Sequence, residues 1–176
     1  RGAGPHGSTG SGRGFQQALR GQWGELDVAD TIATLAAAHE RGWGAPESTV
    51  LMGGSSGGFT VLSVLARADR PCVAAGVVSY PVTDLADLEE RSHRFERHYT
   101  RTLVDPAQYA QRSPVTFADR ITTPLLVFHG SDDPVVPLEQ SQALVARMRA
   151  TGADVDLVVY QGEGHGFRDA DNQIDE

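Results

Sequence analysis

An α/β fold, with a mostly parallel sheet and helices on both faces, is predicted by three features of the chain. Short apolar runs alternate with segments at helical spacing, the pattern of parallel βαβ units. Between the run Thr49-Val50-Leu51-Met52 and the run Phe59-Thr60-Val61-Leu62-Ser63-Val64-Leu65 lies a cluster of small residues, Gly53-Gly54-Ser55-Ser56-Gly57-Gly58, so a strand turns sharply into a helix. Aspartate and then histidine follow, each at the carboxyl end of a further predicted strand.

The elements are taken in chain order. Residues 1 to 14 are glycine-rich and polar, which predicts a loop. Leu26, Val28, Ala29, Ile32, Leu35, Ala36 and His39 recur at helical spacing and predict an amphipathic helix over residues 25 to 41, ended near Gly42. The first strand is expected at 49 to 53, a helix at 57 to 68 and a buried strand at 73 to 79. Residues 81 to 123 break the alternation with charged, aromatic and proline-containing sequence; an insertion of that length between core strands usually carries short helices and often covers a site. A strand at 124 to 129, a helix at 138 to 150 and a strand at 154 to 160 complete the regular part.

The turn after the first strand has the context of a nucleophile elbow, where a serine is held in a strained conformation between strand and helix. Side chains two residues before and two after it would collide, so glycine is expected there, as at Gly53 and Gly57 around Ser55. Gly54-Ser55-Ser56-Gly57-Gly58 fits the same pattern one register on, which leaves Ser56 as a second candidate. A glycine-serine cluster is also common as a plain flexible turn, and the strand-turn-helix context is what favours the functional reading. Asp132 and Asp133 follow the strand at 124 to 129; either alone is also an ordinary turn residue before Pro134. His165 lies in Gly162-Glu163-Gly164-His165-Gly166, where the bland alternative is a surface loop. The order Ser, Asp, His is that of α/β-hydrolases, and chymotrypsin-like and subtilisin-like enzymes order these residues differently.

The other histidines have structural readings. His129 is expected as a packed, hydrogen-bonded core residue and His39 as a part-buried residue on a helix face. His6, His93 and His98 have no partner at ligand spacing, so no metal site is expected. Gly2-Ala3-Gly4-Pro5-His6-Gly7 matches the letters of a dinucleotide fingerprint but lacks a preceding strand and contains proline, so no cofactor is inferred from it.

A chain of 176 residues is long enough for one domain with a sizeable core. Its 23 acidic residues outnumber 15 basic ones for a formal charge of −8, and no basic stretch with interleaved aromatics tracks a phosphate backbone, which disfavours nucleic acid as a partner. All the basic residues are arginine; without lysine there is no Walker-type P-loop and no Schiff-base chemistry. Cys72, the single cysteine, is expected to be a buried thiol at the start of a strand. No apolar run approaches membrane-spanning length, and a cytoplasmic location is the expectation.

Several co-linear motifs then give the chain a resemblance. Gly7-Ser8-Thr9-Gly10, the segment from Gly21-Gln22-Trp23-Gly24 to Asp30, the elbow Gly53 to Gly58, His129-Gly130-Ser131-Asp132-Asp133-Pro134-Val135-Val136-Pro137 and Gly162-Glu163-Gly164-His165-Gly166-Phe167 together resemble the catalytic domain of the prolyl oligopeptidase family of serine peptidases. Within that family the likeness is to the acylaminoacyl-peptidase and dipeptidyl-aminopeptidase branch. The family's Gly-x-Ser-x-Gly-Gly elbow selects Ser55 over Ser56 as nucleophile, its His-Gly-x-x-Asp-x-x-Val pattern selects Asp133 over Asp132, and its histidine falls on His165. The backbone N–H of Ser56 is then the expected oxyanion donor. The chain departs from the family at Ser11, where an aromatic residue is usual, and at Gly4-Pro5-His6-Gly7, where Asn-Tyr-Arg-Gly is usual. The resemblance also implies an upstream β-propeller, early hydrolase strands and a His-Gly-Gly-Pro-like loop, so residues 1–176 are expected to be a partial α/β-hydrolase catalytic domain, the carboxyl-terminal part, cut at both ends. A peptide or small acyl substrate and no cofactor are implied. The alternatives are a carboxylesterase or dienelactone-hydrolase-like enzyme with the same triad, or an inactive hydrolase fragment that serves as a binding module.

Overall fold

The computed structural model describes residues 5–67, 73–91 and 97–175. Cys72, the Ala68 end of the expected helix and His93 lie outside the described residues, as does the side chain of His98. Four strands, β1 (Val50–Gly54), β2 (Ala75–Ser79), β3 (Leu125–Gly130) and β4 (Val155–Tyr160), form one sheet in the order β1-β2-β3-β4 with every pairing parallel. The helices are α1 (Arg13–Gln17), α2 (Leu26–Glu40), α3 (Ser56–Arg67), α4 (Leu85–Arg91), α5 (Arg97–Leu103), α6 (Tyr109–Arg112), α7 (Leu138–Ala150) and α8 (Ala170–Asp175). Each predicted strand is found within two residues of its expected bounds. β1 and β3 run one residue further than expected, into Gly54 and Gly130, because those glycines pair in register with Ser79 and Tyr160.

One face of the sheet carries the main core. Val61, Leu62 and Leu65 of α3 and Leu144 and Met148 of α7 close over Val78 and Val127, all almost completely removed from water. On the opposite face, Phe128, Tyr160 and Phe167 form a smaller aromatic cluster, and the Tyr160 hydroxyl donates to Asp175 of α8 at 2.7 Å. β1 is an edge strand of this sheet, with Val50 48% and Met52 61% exposed.

α2 forms where its periodicity predicts, but only part of the expected face is buried. Ala29, Ile32 and Ala36 are exposed, whereas Asp27 and Val28 are buried and Leu35 packs against the main core. The shift follows from Asp27, which is drawn inward because its carboxylate accepts the Gly24 N–H at 2.7 Å and the Thr60 hydroxyl of α3 at 2.5 Å. The expected loop over residues 1 to 14 gives way at Arg13 to the single turn of α1.

The insertion between β2 and β3 consists of α4, α5 and α6 with 3-10 turns at Pro106–Gln108 and Pro114–Arg120. Two buried side chains anchor it. Gln140 of α7 accepts the Thr83 N–H at 2.8 Å and donates to Asp87 at 2.8 Å. Arg112 donates to the carbonyls of Gly21 and Trp23 at 3.1 and 2.8 Å. The insertion is thereby fixed over the carboxyl ends of the strands. There Val82, Leu85, Leu103 and Val104 make a second core with Trp23 and Phe59.

Candidate active site

Ser55 is the one residue between β1 and α3, and it has φ +53. A side chain in the left-handed region is held there at a cost of about 1–3 kcal/mol and persists only where the surroundings enforce it. Here the Ser55 N–H donates to the Ser79 carbonyl at 2.9 Å, and its own carbonyl accepts the Phe59 N–H at 3.1 Å, so sheet and helix both clamp it. A Cβ at Gly53 would come within 2.6 Å of the Gly57 backbone, as the elbow requires. The matching expectation for Gly57 is corrected: a Cβ there meets nothing within 4 Å, and the second tight position is Gly58, where a Cβ would lie 2.8 Å from Pro81 Cβ. The elbow is thus crowded from two sides, by the first turn of α3 at Gly53 and by the chain leaving β2 at Gly58.

The three strand ends bring their side chains together. Asp133, in the loop after β3, has a fully buried side chain, and its Oδ2 accepts His165 Nδ1–H at 2.8 Å. A carboxylate only accepts, so the ring hydrogen sits on Nδ1 and Nε2 is left to accept the Ser55 hydroxyl at 2.9 Å. Asp133 Oδ1 accepts the N–H groups of Val135 and Val136 at 2.8 and 2.9 Å. Burial alone would push the Asp133 carboxyl up; the His129 ring beside it and the hydrogen bonds from His165, Val136 and Val135 outweigh this and hold the carboxyl well below the usual carboxylate range. Asp132 is exposed and accepts the Ser131 hydroxyl at 2.7 Å. Ser56 is the first residue of α3, so its N–H is among those with no acceptor inside the helix. His129 is completely buried and hydrogen-bonded, as its reading as a core residue implies. His6 accepts no such role: its backbone N–H donates to Asp30 at 2.7 Å, and its ring bonds the same carboxylate.

Two further residues shape the site: Tyr80, which sequence reasoning passed over, and Glu163, which it named only within the motif around His165. Tyr80, at the end of β2, has φ +41, and its ring centroid lies 4.6 Å from that of His165. Its place beside Pro81 at a strand's carboxyl end was the available signal. Glu163, only 6% exposed, accepts the N–H groups of Arg168 and Asp169 at 2.9 and 2.8 Å and the Asn172 amide at 2.9 Å. The Asn172, Asp169 and Arg168 bonds together lower the Glu163 carboxyl below its ordinary value. The loop that carries His165 is therefore tied to the start of α8, and Glu163 stands only two residues before the histidine.

A cavity of about 860 Å³ opens beside Ser55, walled by Trp23, Val82, Leu88, Leu103 and Val136, with the insertion supplying much of its apolar lining. Among the described residues no group of His, Cys, Asp and Glu is placed to hold a metal ion, and no helix is long and apolar enough to cross a membrane.

A parallel sheet whose strand-turn-helix serine meets a histidine and an aspartate from later strand ends is the frame of an α/β-hydrolase. The chain belongs to the prolyl oligopeptidase family, whose model matches residues 3–176. It is 32% identical over 175 residues to dipeptidyl aminopeptidase BIII of Pseudoxanthomonas mexicana, covering 94% of this chain and 25% of that protein. It is 28% identical over 171 residues to the acylamino-acid-releasing enzyme of Arabidopsis thaliana, covering 90% of this chain and 22% of that protein. A puromycin-hydrolyzing peptidase of Mycobacterium tuberculosis superposes with a TM-score of 0.92 at 35% identity over 97% of this chain and 26% of that one. The chain thus spans about a quarter of the length of the relatives it matches.

Proposed function

We propose that the protein is a serine peptidase that hydrolyses peptide or acylaminoacyl bonds, with Ser55, Asp133 and His165 as its catalytic triad. The observation that carries the proposal is the unbroken chain from Ser55 Oγ to His165 Nε2 at 2.9 Å and from His165 Nδ1 to Asp133 Oδ2 at 2.8 Å, built on a serine at φ +53. In the first half-reaction Ser55 Oγ attacks the carbonyl carbon and His165 Nε2 takes its proton. Asp133 holds the Nδ1–H tautomer and stabilises the imidazolium. The tetrahedral oxyanion is met by the Ser56 N–H at the positive end of α3. His165 then delivers the proton to the leaving amine, and water releases the acyl group by the same steps in reverse. The apolar cavity suits an aromatic or branched side chain of the substrate, and its size is in the range of small-molecule sites. An upstream β-propeller that gates the cavity belongs to this reading, as does a cytoplasmic location. The relatives, of which this chain covers about a quarter, leave ample length for such a domain.

The test is made in the full-length protein with an aminoacyl anilide and a nitrophenyl ester. Ser55→Ala is expected to remove hydrolysis of both by several orders of magnitude, because triad members act as a unit. Ser56→Ala, which keeps its N–H, is expected to retain most activity. The opposite pattern would place the nucleophile one residue on; activity on the ester alone would make the protein an esterase.

A further inference from the structure

The mechanism above leaves one buried titratable ring unused. His129 lies on β3 one residue before its end, with none of its surface exposed. Its Nε2 is 2.9 Å from the Val136 carbonyl oxygen and 3.5 Å from Asp133 Oδ2, and its Nδ1 is 2.8 Å from Ser141 Oγ in α7. A carbonyl oxygen only accepts, so Nε2 carries a hydrogen. In the neutral ring Nδ1 must then accept, and the buried Ser141 hydroxyl is its donor. The Nε2–H goes to the Val136 carbonyl, and Asp133 Oδ2, which receives His165 Nδ1–H, lies 3.5 Å from the same nitrogen. With Val135 and Val136 on Oδ1, three donors hold the Asp133 carboxylate, and the His129 ring lies beside it.

We propose that His129 is a positioning residue for the reaction: Ser141 fixes its tautomer, and its Nε2–H holds the Val136 carbonyl of the loop that binds Asp133, so that the carboxylate lies in line with His165. The arrangement extends the Ser55-His165-Asp133 chain through His129 to Ser141, across the packing of β3 on α7. The 3.5 Å separation is too long for a good hydrogen bond, so the hold on Asp133 is chiefly indirect. It runs through the loop whose two ends the ring joins: His129 binds the Val136 carbonyl while the Val136 N–H binds Asp133. A ring that merely filled the core would need no donor at Nε2, and the contacts to Ser141 and Val136 would be exchangeable for apolar packing. The proposal rests on the triad reading above.

The test compares His129→Gln, His129→Asn, Ser141→Ala and Asp133→Asn in the full-length protein. It measures kcat and KM on an anilide, the rate at which a fluorophosphonate labels Ser55, and thermal unfolding. A glutamine amide reaches the place of Nε2 and keeps the donor; an asparagine amide reaches only the place of Nδ1. His129→Asn is expected to lower kcat and the labelling rate by about 10²-fold with KM nearly unchanged, the scale of a small misplacement of a reacting group. His129→Gln is expected to recover most of that loss. Ser141→Ala removes only a hydroxyl and is expected to lower kcat several-fold at unchanged KM in a folded protein. Equal losses in the Gln and Asn variants would reduce His129 to a structural residue and overturn the proposal. So would wild-type kcat in folded Ser141→Ala, whether or not His129→Asn folds. An active Asp133→Asn protein would overturn the triad reading and this proposal with it. An inactive Asp133→Asn protein beside fully active His129→Asn and Ser141→Ala would overturn this proposal alone.

Discussion

Two neighbouring aspartates differ in everything but sequence position: Asp133 is buried under three donors, whereas Asp132 is exposed. Asp133→Asn is expected to reduce turnover severely, by roughly the 10⁴-fold known for the corresponding change in a serine protease, and Asp132→Asn to be mild. Equal losses on an anilide assay would contradict a single orienting carboxylate. The same group sets an acid limb on stability. Its carboxyl is lowered on folding, so its contribution is present above the unfolded carboxylate range and is lost as pH falls from there towards the folded value. Asp133→Asn should therefore flatten the fall of the urea midpoint below about pH 4. A variant that keeps the wild-type slope there would show that the lowered carboxyl is not what acid attacks. The order of serine, aspartate and histidine was legible in the sequence because each follows an apolar run, but the choice between Ser55 and Ser56 needed the family's register. Tyr80 was legible only as a residue beside Pro81 at a strand's carboxyl end; its φ of +41 goes with an N–H bond to the carbonyl of Phe128, 48 residues on, and no local pattern encodes that.

At the level of elements, the elbow predicts a graded glycine series. Gly53→Ala and Gly58→Ala place a methyl 2.6 Å from the Gly57 backbone and 2.8 Å from Pro81, and overpacking of that kind costs about 1–3 kcal/mol. Gly57→Ala meets open space at a helical position and is expected to be neutral or to stabilise by about 0.4–1 kcal/mol. Chemical denaturation of the three variants checks the ranking, which a destabilised Gly57→Ala protein would reverse. In the loop after β4, Glu163→Gln removes the charge that Arg168 and Asp169 N–H groups bind, so their amide hydrogens should exchange faster and turnover should fall with it. Unchanged exchange at both would mean that α8 is held by other contacts. Strands and long helices were legible because apolar runs sit between glycine and proline, and β3 and β4 came within a residue of their expected starts. The buried face of α2 was not, since a hydropathy pattern ranks Asp27 as outward and cannot register the Thr60 hydroxyl that draws it in.

The molecule as a whole exposes β1 along one edge, with Val50 and Met52 at 48% and 61% on a strand that has no charge or proline to blunt it. The 176-residue chain, expressed alone, is therefore expected to self-associate, and Met52→Lys to shift sedimentation towards monomer; a monomeric unsubstituted chain would refute this. The sheet also runs β1-β2-β3-β4 in the order of synthesis, and the Ser55 to His165 bond closes across 110 residues of chain. On a ribosome moving at ~5–20 residues per second, Ser55 is made roughly 5–20 s before His165. Throughout that interval the proposed nucleophile has not yet met the ring that the folded protein places 2.9 Å from its hydroxyl. Under the proposed roles, the growing polypeptide has no complete triad until the histidine loop is made, and a nick between Tyr160 and Gly162 that frees that loop is expected to abolish anilide hydrolysis by the finished protein.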